Sequence, residues 1–198
     1  MAKVGRPREF DRNKALKEAM FLFWNYGYES TSLSQLKEKM GNISSPSFYT
    51  AFKSKENLFI EASQYYVDTY FTVTEPLWNE SLSTKEAIEK TLIQSLNMQY
   101  DKDHPLGCMV SLNTVIVRLE ENQHIIEILK KSRFKTHQGF VHCIQRGINS
   151  GELRRSIDSI GLATIFDSFL IGISSLARDD IDKKTIEDGI SQLLTVLN

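Results

Sequence analysis

The sequence has few cysteines and few histidines, and this excludes several kinds of site. Its two cysteines, Cys108 and Cys143, are too few for a disulfide scaffold or a cysteine-based structural zinc site. The four histidines do not form a metal-binding motif, and one pair, His137 and His142, lies five residues apart and would be poorly aligned on a helix. The sequence therefore predicts no metal ion and no cofactor.

Long hydrophobic runs are also missing. No stretch approaches eighteen continuous apolar residues, the length that indicates a transmembrane helix. The N-terminal segment MAKVGRPREFD lacks the apolar region of a signal peptide. The sequence therefore favours a cytoplasmic protein without a membrane partner.

The common catalytic motifs do not occur either. There is no glycine-rich phosphate loop, no histidine–glutamate pattern at zinc-hydrolase spacing and no nucleophile elbow. Because catalysis requires an acid, a base or a nucleophile that converge at one site, the sequence predicts that the protein is not an enzyme.

Strand signals are scarce, whereas helix signals recur along the whole chain. No run of alternating β-branched residues is bounded by hairpin turns, and the four prolines fit helix starts or connections. The sequence therefore predicts an all-α fold of about nine helices. Their expected ranges are 11–25, 33–40, 45–52, 55–73, 85–100, 106–119, 123–149, 157–177 and 183–197, and Asp11 is the candidate N-cap of the first.

The stretch 27–59 contains the densest set of helix-boundary signals. Ser32 followed by Gln35 is a capping-box pattern, and the Gly41-Asn42 pair is typical of a helix end. Ser44 and Ser54 are candidate N-caps of the next two helices. The pattern predicts two short helices, a tight turn between them and the start of a longer third helix.

The second short helix of this stretch has two different faces. Phe48 and Phe52 are four residues apart and are expected to enter the core, which leaves Ser45, Ser47, Tyr49 and Thr50 on another face. Lys55, in the first turn of the following helix, is unfavourable against the helix dipole unless an anion such as phosphate lies nearby. The pattern is typical of a duplex-reading helix-turn-helix, and the alternative is a helical hairpin whose polar residues face solvent.

In the order and spacing of these features, the first sixty residues resemble the DNA-binding domain of the TetR family of bacterial transcriptional regulators. The similar segments are 5–8, 15–23, 27–32, 45–49 and 52–59. Two departures are visible. Gly41 and Tyr49 are eight residues apart where the family usually has seven, which places an insertion at Asn42-Ile43, and Lys37 replaces a small residue.

The resemblance implies a basic arm and helix-turn-helix domain over residues 1–55 and a ligand-binding and dimerisation domain over 56–198. Charge is distributed accordingly, because residues 1–55 contain ten lysines and arginines against five acids, and residues 56–198 contain fourteen against twenty. The implied function is a repressor released from its operator by a small-molecule or electrophile inducer. The alternative is an architectural DNA-binding protein without an inducer.

The resemblance also assigns roles in double-stranded DNA binding. Tyr49, Lys55 and Ser32 are expected to contact phosphates, while four hydroxyl side chains face base edges or nearby backbone. Lys3, Arg6 and Arg8 form an arm that enters the minor groove or binds phosphates, or else a disordered basic tail. The full set of candidate DNA-binding residues is Arg6, Arg8, Ser32, Ser34, Ser45, Ser47, Tyr49, Thr50 and Lys55.

The last two helices are expected to form a homodimer interface. Helix 157–177 is apolar over a broader surface than one core face requires, with Gly161 and Gly172 permitting close helix approach. Helix 183–197 adds Ile186, Ile190, Leu193, Leu194 and Leu197. The family packs such a pair against its two-fold mate as a four-helix bundle. The alternative is a buried helix within a monomer.

An inducer, whose identity the sequence does not give, is expected between the fourth and eighth helices. The candidate lining is aromatic, methionine-rich or otherwise apolar, although any one of these residues is equally compatible with plain core. It comprises Tyr66, Tyr70, Phe71, Trp78, Met98, Cys108, Met109, Leu112, Phe134 and Phe169. The Gly107-Cys108 pair looks like the start of the sixth helix in members that sense electrophiles or oxidants, and the alternative is a buried structural thiol.

Overall fold

The computed structural model describes residues 10–113 and 124–197, and every regular element in these two ranges is helical. The α-helices are α1 (Arg12–Ser30), α2 (Leu33–Lys39), α3 (Ser45–Phe52), α4 (Lys55–Tyr70), α5 (Thr84–Gln99), α6 (Met109–Asn113), α7 (Glu127–Ser150), α8 (Ser159–Arg178) and α9 (Lys183–Leu193). Two 3₁₀ segments, Phe71–Trp78 and Leu194–Leu197, follow α4 and α9. The predicted all-α class is confirmed, and nine α-helices lie within the described ranges.

The N-terminal helices begin at the capping residues that the sequence indicates. The Asp11 carboxylate accepts hydrogen bonds from the backbone N–H groups of Asn13 and Lys14. The capping box of Ser32 and Gln35 forms in full, and Ser44 and Ser54 cap α3 and α4 through their hydroxyl oxygens. Each cap satisfies N–H groups that have no partner within their own helix.

Two predicted boundaries are wrong, each because of a local backbone feature. Helix α4 ends at Tyr70 instead of near Val73, because the chain tightens into a 3₁₀ segment that contains Pro76. Helix α6 begins at Met109 instead of Leu106, because Gly107 has φ +83° and a Cβ there would crowd Ser174. The expected continuation of this helix to Leu119 lies outside the described residues.

Helix α1 bends at Gly27, where the sequence predicts its end. Gly27 has φ 80° and ψ 170°, and the chain continues as one further short turn to Ser30. Non-helical angles of this kind are accessible chiefly to glycine. The kink redirects the chain toward α2.

Two hydrophobic clusters form the interior. The first cluster contains residues of the four helices α1, α2, α3 and α4 and of the starts of α6 and α7. Trp24, Phe23 and Phe59 are among its fully buried members. The second joins α5, α7, α8 and α9. Since the first cluster is continuous, the N-terminal unit α1–α3, which we call the reading head, packs against α4 and the starts of α6 and α7.

Helix α8 buries only part of its apolar surface. Ala163, Phe166 and Ile173 are fully buried, whereas Ile165 is 51% exposed and Leu176 is 38% exposed. Helix α8 is long and apolar enough to cross a membrane by length and composition alone. That is weak evidence for a span, because core helices pass the same test and α8 packs against α5 and α7.

The apolar residues of α9 and its 3₁₀ extension lie mostly inside the protomer. Ile186, Ile190, Leu194 and Leu197 are buried in the second cluster, where this segment packs against α5. Their predicted place on a dimer surface is therefore wrong, because they form core within one chain. Val196 is 42% exposed and Leu193 is partly exposed.

Candidate nucleic-acid interface and ligand cavity

Helix α3 separates an apolar buried face from a polar exposed one. Phe48 and Phe52 are 0% and 1% exposed, whereas Tyr49 is 51% exposed. Ser47 and Thr50 are exposed and Ser45 is partly exposed. One side of the helix thus anchors it while the other presents hydroxyl groups to solvent.

Arg12 fixes α3 against its neighbours, a role that the sequence analysis missed. Its guanidinium donates to the backbone oxygen of Ala51 and forms a 2.6 Å ion pair with Glu61 on α4. It also lies 4.8 Å from the ring centroid of Phe52, a cation–π arrangement. Because Arg12 connects three helices at one point, it holds the angle at which α3 projects.

In the longer turn before α3, two consecutive residues adopt positive φ angles. Gly41 has φ +96° and Asn42 has φ 59°. Ile43 then donates its N–H to the oxygen of Lys37 and packs on the first cluster. These contacts define the turn despite its additional residue.

Lys37 takes part in the same junction. Its ammonium donates a 2.9 Å hydrogen bond to the hydroxyl oxygen of Ser45 in the first turn of α3. The lysine that departs from the family pattern thus brings a positive charge to the start of α3.

Several hydroxyls of the expected interface already have partners. The Ser32 hydroxyl donates to Gln35 Oε1 at 2.8 Å, and Thr50 donates to the oxygen of Pro46 at 2.8 Å. The Ser47 and Ser44 hydroxyls lie 2.9 Å apart. Ser34 is exposed on α2. Arg6 and Arg8, together with Lys3, lie outside the described residues.

Lys55 lies at the start of α4, beside the kink of α1. Its Nζ is 4.3 Å from the ring centroid of Tyr28. Burial lowers the pKa of Lys55, and the same effect, with smaller contributions from Glu56 and Glu29, raises the pKa of Tyr28 to about 12. The phenol is therefore neutral at physiological pH and offers its ring face to the ammonium.

A cavity of about 420 Å³ lies between α4, α5, α6, α7 and α8. Of the residues expected in the ligand site, Tyr66, Tyr70, Phe71, Met98 and Cys108 line it. They come from α4 and its 3₁₀ extension, from α5 and from the residue before α6, so the fold brings together positions that are up to 42 residues apart.

Five other expected residues lie elsewhere, which corrects their predicted place in this lining. Trp78 stacks on His142 with 5.2 Å between ring centroids, and Met109 is fully buried in the first cluster. Leu112 packs beside Gly107, Phe134 is 62% exposed and Phe169 contacts Gly189. All are apolar, but the rotation of each helix about its axis turns them away from the cavity.

The cavity has a polar wall that the sequence analysis missed. Arg133 lines it from α7 and Asp167 from α8, and Asp167 Oδ2 lies 3.3 Å from His137 Nδ1. Burial raises the pKa of Asp167, partly offset by His137 and Arg133. Single charged residues on amphipathic helices resemble ordinary surface positions, so the sequence contains no signal that singles them out.

The cavity is connected to the reading head through aromatic contacts. The Tyr66 hydroxyl, at the cavity wall, donates to Cys108 Sγ at 3.2 Å. The Tyr66 ring meets Trp24 of α1 edge-on at 4.8 Å, and Trp24 stacks on His104 at 4.4 Å. Burial raises the pKa of Tyr66 well above its ordinary value, so the phenol stays protonated and remains a donor.

Arg178, at the end of α8, forms a second connection. Its guanidinium donates to the backbone oxygens of Trp24 at 2.9 Å and Asn25 at 3.1 Å, just before the kink of α1 at Gly27. A third hydrogen bond reaches the oxygen of Leu106 at 3.3 Å, two residues before Cys108. One side chain thus joins α8, the reading head and the loop that carries Cys108.

The exposed face of α3, held on a capped three-helix unit, defines a helix-turn-helix DNA-binding protein. Residues 15–62 match the family model described as bacterial regulatory proteins, tetR family. The chain is 31% identical to the HTH-type transcriptional repressor ComR of Escherichia coli (strain K12) over 88% of this chain and 83% of ComR. The chain therefore belongs to the TetR family and is a DNA-binding transcriptional regulator.

Two further proteins are similar over nearly the whole chain. An uncharacterized HTH-type transcriptional regulator, YezE of Bacillus subtilis (strain 168), is 26% identical over 98% of this chain and all of YezE. A solved structure of the TetR family regulator CifR, a cysteine mutant in complex with 26-bp double-strand operator DNA, has a TM-score of 0.84 and 32% identity. It covers 96% of this chain and 98% of the CifR chain.

Proposed function

We propose that this regulator is a homodimeric repressor that acts in the cytoplasm and is released from its operator by a small molecule or an electrophile. The observation that carries the proposal is the connection between two sites. The cavity at Tyr66 and Cys108 is one aromatic contact away from Trp24, which belongs to the helix on which the reading head is built.

The exposed stripe of α8 supports the dimer. Ile165, Gly172 and Leu176 fall on one side of the helix, and a Cβ built at Gly172 has no atom within 4 Å. Helices approach closely where such small residues meet. A second copy packed here, with Val196 at the margin, forms a four-helix bundle and covers the apolar surface.

The dimer presents two copies of α3 to successive major grooves, about 34–36 Å apart for half-sites one helical turn apart. Tyr49 and Lys55 contact phosphates, and Ser34, Ser45, Ser47 and Thr50 face base edges or nearby backbone. Ser32 contacts phosphate by exchanging its bond to Gln35, and the arm of Arg6 and Arg8 adds minor-groove or phosphate contacts. Hydroxyl groups accept several base partners, so they define no single operator sequence.

Replacing Lys55 by alanine tests the phosphate contact. We expect binding to operator and to unrelated duplex DNA to weaken by a similar factor, because a phosphate contact carries no sequence information. The slope of log affinity against log salt should become shallower by about 1.8, the value for the two phosphate contacts that a dimer would lose. Fluorescence anisotropy over a salt series measures both, with the exposed loop residue Lys102→Ala as control. Unchanged operator affinity in Lys55→Ala would remove this role.

Ligand binding in the cavity shifts the population of dimers toward one with misplaced reading heads. Helix α4 acts as the lever, since it lines the cavity with Tyr66 and Tyr70 and begins at the Lys55 contact. The bonds from Arg178 to the end of α1 supply a second route from the α8 dimer surface. The open cavity favours this inducible repressor over an architectural protein without an inducer.

Cys108 is the candidate site for an electrophilic inducer. Cys143 is fully buried and its pKa is raised to about 11, chiefly by burial, so N-ethylmaleimide should modify Cys108 first. We expect the modified protein to lose operator affinity, because the adduct displaces the Tyr66 hydroxyl. Intact mass and operator binding are followed together in wild type and Cys108→Ser. If both proteins release DNA equally, or if modified wild type stays bound, the sensor role is wrong.

Footprinting tests the proposal as a whole. The protein should protect a short segment of the DNA upstream of its own gene, and at least one member of a small-molecule panel should remove the protection. A footprint that no compound alters would support the architectural alternative.

A further inference from the structure

Charge is unevenly distributed around the cavity. Helix α7 contributes three cations to the described lining residues, Lys131, Arg133 and Lys135, whereas the single carboxylate there is Asp167. Lys131 and Lys135 are exposed, and Arg133 is partly buried. Arg133 is therefore the cation placed to meet a molecule inside the cavity.

Arg133 has an unused hydrogen-bond donor. Its Nε is buried, and among the described residues no acceptor lies within hydrogen-bond reach of it. The positive charge of Arg133 is near enough to Asp167 to lower the pKa of that carboxyl group. The hydrogen-bond contact of Asp167, however, is with His137. Buried donors are normally paired, because leaving one unpaired is unfavourable. An acceptor supplied by a ligand would satisfy it.

Another part of the cavity lining is uncharged and largely apolar. Tyr66, Tyr70 and Met98 line it, and burial raises the pKa of both tyrosines, so their hydroxyls stay protonated. Neutral phenol rings and a thioether provide dispersion contacts to an aromatic or aliphatic body. The cavity volume of about 420 Å³ limits that body to a small molecule.

We infer that the cavity takes an organic monocarboxylate, with its carboxylate on Arg133 and its apolar body against Tyr66, Tyr70 and Met98. A planar guanidinium matches a carboxylate through two parallel N–H donors, a geometry that a lysine does not offer. The inference deepens the proposed function, on which it rests for the claim that cavity occupancy controls DNA binding.

Calorimetry with matched compounds tests the inference. The full-length protein is titrated with 2-naphthoate, its neutral analogue 2-naphthamide and the cation 2-naphthylmethylammonium, and with decanoate and decanamide as an aliphatic pair. Each acid should bind at least about tenfold more tightly than its amide, in line with one charge-assisted contact. Equal binding of acid and amide, tighter binding of the cation, or no binding of either acid would overturn the inference.

Two variants separate the role of Arg133 from general charge. Arg133→Gln should abolish the preference for acid over amide, whereas Lys135→Gln removes the same charge at an exposed site and should retain it. Arg133→Lys, which keeps the charge but loses the planar fork, should reduce the preference and guards against a folding defect in the glutamine variant. A preference that survives in Arg133→Gln and Arg133→Lys refutes the assignment.

Operator binding in the presence of each acid separates this inference from the proposed function. An acid that binds through Arg133 without altering operator affinity supports the ligand class and contradicts the inducer role. Release by the neutral amides alone supports the inducer role and contradicts the ligand class.

Discussion

Replacing Ser47 by glutamate is expected to weaken operator binding by about 100-fold or more, because a carboxylate would then face the DNA phosphates from the exposed side of α3. A dimer carries the change in both reading heads, so the repulsion acts twice. Electrophoretic mobility shift or anisotropy titration against the footprinted operator measures the loss.

The same substitution should leave the fold intact or make it slightly more stable. Ser44 is the N-cap of α3 and Ser47 is its N3 residue, so glutamate at 47 completes a capping-box pattern like that of Ser32 and Gln35. A negative charge in the first turn is also favourable against the helix dipole. A thermal melt should therefore show an unchanged or raised Tm while DNA binding is lost.

Gln145→Glu is the matched control, since it adds the same charge at an exposed position on α7. It should bind operator within about twofold of wild type, in line with a surface change away from the exposed face of α3. Operator affinity that is equal in Ser47→Glu and wild type would show that this face of α3 does not approach DNA.

Replacing Ile165 by glutamate should convert the protein to a monomer and reduce operator affinity by about 10²–10⁴-fold. Ile165 is 51% exposed on the α8 stripe, and the two-fold axis of a dimer would bring the two introduced carboxylates close together in a buried interface. In a dimer, binding of one reading head to its half-site raises the effective concentration of the other head at the second half-site. A monomer lacks this advantage.

Ile160→Glu is the control for this prediction. Ile160 is 62% exposed on α8, but it borders a surface depression with Trp78 and His142 on another side of the helix. Analytical ultracentrifugation should find Ile160→Glu dimeric and Ile165→Glu monomeric. An Ile165→Glu protein that stays dimeric and binds operator normally would move the interface to a different surface.

Local signals predicted the reading head well. Asp11, Ser32, Ser44 and Ser54 cap helices as expected, because a cap depends on residues within one turn of the chain. The boundaries that failed depend on longer-range packing. Gly107, for example, is required where the chain passes close to Ser174 of α8, and no local pattern reports that contact.

The two faces of α3 could be predicted for a similar reason. Phe48 and Phe52 are one helical turn apart, so their burial fixes which residues point outward. The cavity could not be predicted as fully, because it depends on how five helices are rotated against one another. Arg133 and Phe134 are neighbours in sequence, yet one lines the cavity and the other is exposed.

Contacts between distant segments were the least predictable. Arg12 bonds to Ala51, and Arg178 bonds to backbone oxygens of Trp24 and Asn25 more than 150 residues away. Both arginines bond chiefly to backbone oxygens, which every residue provides, so no partner residue type marks the pairing in the sequence.

Photocrosslinking from α3 tests the central claim most directly. A photoreactive benzoylphenylalanine replaces Tyr49, and the same residue at the exposed position Phe134 serves as control. Irradiation of the operator complex should attach the Tyr49 variant to DNA at one position in each of two half-sites and should leave the Phe134 variant unattached. Crosslinks from the Phe134 variant together with none from the Tyr49 variant would contradict the claim that paired protomers read DNA with α3.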